Sequence, residues 1–166
     1  MTEETAKGLA EYLLPQLQHE YTTTCKVLAA VPEGESGYKP SDKCMTGIEL
    51  AAHIALAEVF FLRGVTSGAF EWKQLDFKTP AEVLAYYQEN APALLAEVAA
   101  LPGDKLAKNI PFAVWDQPAV TYLSLCMSHG IHHRGQLSAY LRPMGAKVPS
   151  IYGPSADEPK AAAAAE

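Results

Sequence analysis

The sequence predicts an all-α protein, a four-helix bundle with long connecting loops. Four segments place apolar residues three and four positions apart, the period of one helix face. No segment shows the apolar–polar alternation of a sustained half-buried strand. The composition is rich in Ala, Leu, Glu and Gln with few β-branched runs, which favours helix. Amphipathic helices must bury their apolar sides against one another, and a bundle does this with short-range packing.

The first helix is expected from about Thr5 to Ala30, with Leu9, Leu13, Leu17, Tyr21, Cys25 and Leu28 on its apolar side. Pro15 either separates an N-terminal piece or kinks the helix. A loop bearing Gly34, Gly37 and Pro40 follows. Thr46-Gly-Ile-Glu49 reads as a capping box that starts the second helix, which runs to about Gly64 with Ile48, Ala51, Ala52, Ala55, Val59 and Leu62 inward. Thr79-Pro-Ala-Glu82 is a second box, with Pro80 where its missing N–H costs nothing. The third helix runs to about Leu101, with a kink expected at Pro92 and a stop at Pro102-Gly103. Residues 104–118 are a long connection in which Ile110 to Trp115 is extended, and long connections often belong to a site. The fourth helix spans about Ala119 to Arg142 and stops at Pro143 to Gly145. Residues 1–155 are expected to form the bundle domain, and 156–166 a low-complexity, flexible tail.

With 166 residues the chain is long enough for one domain with a substantial core. Its net charge of −6, without a Lys/Arg block, argues against nucleic acid as a direct partner, because such binding needs a basic footprint. No apolar run is long enough for a membrane span, and the acidic start lacks the apolar stretch of a secretory signal. Three cysteines, Cys25, Cys44 and Cys126, make a poor disulfide framework and suit a reducing compartment, so a cytoplasmic location is expected.

Three of the five histidines fall within residues 129–133. Residues four apart on a helix share a face, so His129 and His133 can offer imidazoles to one ion. Both lie on the stripe Tyr122, Cys126, Leu137 and Tyr140, which faces inward. A buried imidazole without a partner costs roughly 1–3 kcal/mol, and a metal would satisfy both. His53, about two turns into the second helix, occupies a similar inward position. Three histidines from two helices would make an open tripod, leaving a place for water or substrate. The other reading of His53 is a core histidine hydrogen-bonded to a neighbour. His129 with His132 is also permitted by spacing; His132 is read as a surface or supporting residue, with Arg134 beside it on the solvent side.

Leu50-Ala-Ala-His-Ile54, His129-Gly-Ile-His-His-Arg-Gly-Gln-Leu137, Leu141-Arg-Pro-Met-Gly-Ala-Lys-Val-Pro149 and Tyr38-Lys-Pro40 together resemble the DinB-like (DinB/YfiT-like) metalloenzymes. The resemblance implies helices in up-down-down-up order with one long crossover. It also implies a divalent ion, nickel or zinc and in some relatives iron, held by His53, His129 and His133, and a homodimer. Relatives transfer low-molecular-weight thiols, isomerise with a thiol, or bind iron in sulfur-cofactor synthesis, which implies a small-molecule substrate here.

A three-histidine ion can hold a thiol as thiolate or lower the pKa of water, so a thiol transferase is the first expectation. A metal-dependent hydrolase and a non-catalytic metal-binding stress-related bundle are the alternatives. The chain lacks His-Glu-x-x-His, so no metalloprotease base sits within the pair. Glu49 is expected to cap, Asp116 to be solvated or to reach the bundle mouth, and Cys126 to fill core. Arg134 and Arg142 would greet carboxylates or simply suit a helix C-terminus, and His19 is expected at the surface.

Overall fold

The computed structural model describes residues 1–158. Helix α1 (Glu3–Ala29) is capped by Thr2, whose hydroxyl accepts from the Thr5 amide at 3.2 Å. It runs unbroken through Pro15. Both Pro15 and Pro92 lie on exposed faces, so the carbonyl each leaves unpaired opens to water.

Helix α2 (Gly47–Ser67) starts at the expected capping box: the Thr46 amide donates to Glu49 Oε2 at 2.7 Å, and the Glu49 amide to Thr46 Oγ1 at 3.3 Å. It outruns Gly64 and stops at Gly68, whose φ of 80° is the left-handed cap that glycine supplies. Gly64 serves space instead, because a Cβ there would stand 2.1 Å from the Phe70 ring. Helix α3 (Pro80–Ala100) opens with Thr79 accepting from the Glu82 amide, while Glu82 accepts from the Lys78 amide, one residue earlier than in a reciprocal box.

The expected long connection is built. It forms a short helix, α4 (Gly103–Ala107), and an antiparallel hairpin, β1 (Asn109–Phe112) and β2 (Trp115–Pro118), with Phe112 opposite Trp115. Ala113 takes a positive φ of 54° at the tight turn. Ile110 is buried, its carbonyl accepts from the Tyr122 hydroxyl at 2.7 Å, and Phe112 joins Phe60, Phe61, Phe70 and Tyr122 in an aromatic cluster. Four residues of strand were too few to register as a sheet in the pattern. Helix α5 (Thr121–Leu141) completes the molecule.

Each long helix packs on two others, α1 on α3 and α5, and α2 on α3 and α5. The contacts fix their directions. Lys7 of α1 reaches the Ala99 and Leu101 carbonyls at the end of α3, while Tyr21 meets Tyr87, so α1 and α3 are antiparallel. Glu58 meets Tyr87 and Arg63 meets Asn90, so α2 and α3 run parallel, joined by the crossover 68–79. His53 faces His129 and Glu58 faces Cys126, so α2 and α5 are antiparallel. The core between them includes Leu50, Ile54, Val83, Val98, Leu123 and Leu137. No helix among the described residues is long and apolar enough to cross a membrane.

Arg134 overturns its expected solvent position. The buried side of α5 is centred on Leu123, Cys126, Gly130, Arg134, Leu137 and Leu141, rotated from the stripe read in the sequence. The Arg134 side chain is 2% exposed and pairs with Glu20. Its Nη1 donates to the Glu20 carbonyl at 3.2 Å and Thr24 Oγ1 at 3.1 Å, and its Nη2 also meets the Tyr152 hydroxyl. Beyond α5, Asp157 accepts from Arg142 and the Val148 amide, and Glu158 from the Ser150 amide. Residues 159–166 of the expected tail lie outside the described residues.

Removing one member of a buried ion pair leaves the other charge uncompensated. Arg134→Leu is expected to lower the unfolding free energy by about 3 kcal/mol, read from urea denaturation. A loss under about 1 kcal/mol would show that Glu20 is resolvated without cost.

Candidate metal centre

The capping box fixes where α2 begins and so where His53 stands along it. From α5, His129 and His133 face the same point, one turn apart. His53 Nε2 and His129 Nε2 are 3.2 Å apart, and one nitrogen from each of the three rings lies within 4.8 Å of the others. The ring centroids are 4.4 to 5.0 Å apart. All three side chains are half-buried, because they sit on the shoulder of the buried faces rather than at their centre. A cavity of about 350 Å³ opens beside His53.

The donor set fits a divalent transition ion. Two metal–nitrogen bonds of about 2.05 Å at a tetrahedral angle put their nitrogens about 3.3 Å apart, close to the His53–His129 separation. Without an ion the pair can share one proton at most, and His129 Nδ1 is buried with no hydrogen-bond partner. Burial, followed by the nearby His133, lowers the affinity of His53 for a proton; the same two causes, with His53 and His132 adding, hold His129 down to about 4. Both rings are therefore neutral near pH 7, the form that binds metal.

Gln136 supports His133 from behind. Its Oε1 lies 3.1 Å from His133 Nδ1, and its Nε2 donates to the Tyr140 hydroxyl at 3.3 Å. This amide orientation makes His133 Nδ1 the donor and leaves Nε2 free for a ligand bond. Tyr140 is braced by Tyr38, edge-on at 5.8 Å.

The other candidates separate cleanly. His132 is exposed and stands outside the three-histidine group, although its ring is 4.8 Å from that of His133. Cys126 is buried, its thiol faces the Glu58 carbonyl at 3.8 Å, and burial pushes its pKa well up, which suits core filler. Glu49 is engaged by Thr46; Asp116 is exposed on β2; Arg142 pairs with Asp157 at the surface; His19 is exposed. Among the described residues no carboxylate or thiol joins the histidines in one group.

Sequence reasoning missed Glu58 and Gly130. Glu58 is buried and accepts from the Tyr87 hydroxyl. Gly130 lies against it, and a Cβ at Gly130 would stand 2.5 Å from Glu58 Oε1. Both left signals. An acid interrupts the apolar run Ile54 to Leu62, and a glycine occupies a helix interior where it costs about 1 kcal/mol against alanine.

The DinB family profile matches residues 1–164. Two proteins of Bacillus subtilis (strain 168) align along most of their length. YjoA is 31% identical over 136 residues, covering 78% of this chain and 86% of YjoA. YrdA is 25% identical over 152 residues, covering 89% and 90%. The crystal structure of the DinB-like protein YjoA superposes with a TM-score of 0.68 over 81% of this chain and 92% of its own, at 23% identity. A DinB-like protein from Bacillus cereus ATCC 10987 superposes at 0.74 over 86% and 97%, at 21% identity.

Burial pushes the Glu58 carboxyl up to about 7, against the lowering effects of Tyr87 and Arg134. The folded chain thus keeps a proton that the unfolded chain releases in the ordinary glutamate range. Stability from this group is full below that range and is lost as pH rises through about 7. Glu58→Gln, which cannot ionise, is expected to gain stability relative to the parent from about pH 5 to about pH 8. Urea unfolding across that range measures it, and a flat difference would refute the buried titration.

Proposed function

The chain belongs to the DinB family, and from that premise we propose that it is a divalent-metal-dependent transferase acting with a low-molecular-weight thiol. The observation that carries the reading is the convergence of His53, His129 and His133, whose nitrogens lie within 4.8 Å of one another with no carboxylate or thiol among the described residues in the group. One nitrogen from each would hold the ion. Imidazole donors suit nickel, zinc or iron.

A divalent ion in such a site supplies Lewis acidity and favours the thiolate over the thiol near neutral pH. The chain's own residues do the rest. Burial keeps His53 and His129 neutral, and Gln136 sets the His133 ring and its tautomer. The half-buried setting leaves one side open to a small molecule. In the transfer, sulfur forms a bond to an electrophilic carbon, the bond from that carbon to its leaving group breaks, and the thiol proton passes to the leaving group or solvent. Hydrolysis is less well served, because Glu49 is committed to its cap and Asp116 is exposed on β2. A cytoplasmic homodimer of up-down-down-up four-helix bundles, acting on small molecules, completes the reading.

Protein purified without added metal is expected to contain nickel, zinc or iron near one per chain by elemental analysis. His133→Ala is expected to lose it, and Gln136→Leu to weaken affinity about 10–100-fold. Retention of metal by His133→Ala would refute the tripod. The visible spectrum of cobalt-loaded protein is expected to shift when a small thiol is added; an unchanged spectrum, with no thiol conjugation, would leave the ion but remove the transferase.

A further inference from the structure

The cavity beside His53 has a definite chemistry. It measures about 350 Å³ and is bounded on one side by α2 and on the other by the crossover 68–79. Leu56, Trp72 and Phe77 give it an apolar interior, and Glu49 and Asp76 contribute the charged part of its wall. Among the described residues no lysine or arginine lines it. Lys78, which pairs with Asp76, and Lys39, whose charge reaches Glu49, both lie outside the lining. Trp72 is held over α2 by an edge-on contact with Phe60 at 5.4 Å and by its Nε1 donating to Gln74 Oε1 at 3.1 Å.

An apolar molecule entering here exchanges water for aromatic and aliphatic contacts. In the metal-free protein an anion would lose hydration against that surface and face two carboxylates with no lysine or arginine among the described wall residues. A neutral or positively charged molecule meets no such penalty.

We propose that this cavity binds the acceptor of the transfer, an apolar molecule, and that its protein wall, before any ion is bound, favours neutral or positively charged molecules over anions. The acceptor role rests on the metal-centre reading above; the selectivity of the cavity does not.

The chain has two tryptophans, so Trp115→Phe leaves Trp72 as the sole indole reporter. Metal-free protein in chelator at low ionic strength is titrated with benzylamine, benzyl alcohol and phenylacetate, three probes of similar size and different charge. Benzylamine and benzyl alcohol are expected to change Trp72 emission saturably, with phenylacetate at least about fivefold weaker than benzylamine. Asp76→Asn is expected to narrow that gap while leaving benzyl alcohol unchanged, and Ala52→Phe, which fills the wall, to weaken all three. Phenylacetate binding as tightly as benzylamine, or no saturable response to any probe, would overturn the proposal. Because no metal is present, failure here leaves the His133→Ala result standing, and failure of the metal centre leaves this binding order intact.

Discussion

The packing of the Glu58 side chain of α2 onto Gly130 of α5 is the contact on which the site depends. Glu58 fills the space where any other residue would carry a Cβ, 2.5 Å from that position. His129 is the adjacent residue on α5, and His53 lies little more than one turn before Glu58 on α2. Metal–nitrogen bonds tolerate errors of about 0.2 Å. Parting the helices by the width of a methyl group would pull the two Nε2 atoms beyond the reach of one ion. The glycine disfavours the helix locally, and the packing it permits offsets that cost.

Two kinds of buried polarity meet across α5. On the α1 side, Arg134 is satisfied by Glu20, Thr24 and Tyr152, and between α2 and α3 Glu58 is satisfied by Tyr87, so these groups lock helices together. On the α2 shoulder, His53 and His129 face one another and His129 Nδ1 has no partner. A satisfied network has little left to give a ligand. An incompletely satisfied one retains interaction energy for an ion, and neutral imidazoles have the free lone pair that an arginine, always protonated and donor-only, lacks.

The parallel course of α2 and α3 has a chemical consequence. The chain must return along the molecule between them, and residues 68–79 make that crossing. The crossing carries Trp72 and Phe77 over the face of α2 beside His53, so the topology itself builds the cavity wall. The hairpin contributes at the neighbouring aromatic cluster, where Phe112 packs on Phe61, and Phe61 in turn lies edge-on to His129 at 5.8 Å. The site is thus framed by two connections that lack helical period.

Local chemistry was legible in the residues. Thr46 with Glu49 and Thr79 with Pro80 marked helix starts, because capping involves groups only a few positions apart. The i, i+4 pair His129–His133 and the inward placement of His53 followed from one helical period, and their resemblance to DinB-like motifs agrees with family membership. Tertiary structure decided the rest. It rotated the buried side of α5 far enough to take in Arg134, because Glu20 and Thr24 of α1, more than a hundred positions away, satisfy its charge. It assigned Gly64 to the Phe70 contact and Gly130 to Glu58, which no count along one helix reveals. Periodicity tells which face of a helix is apolar; which neighbour meets that face, and how closely, is set by side chains from other elements.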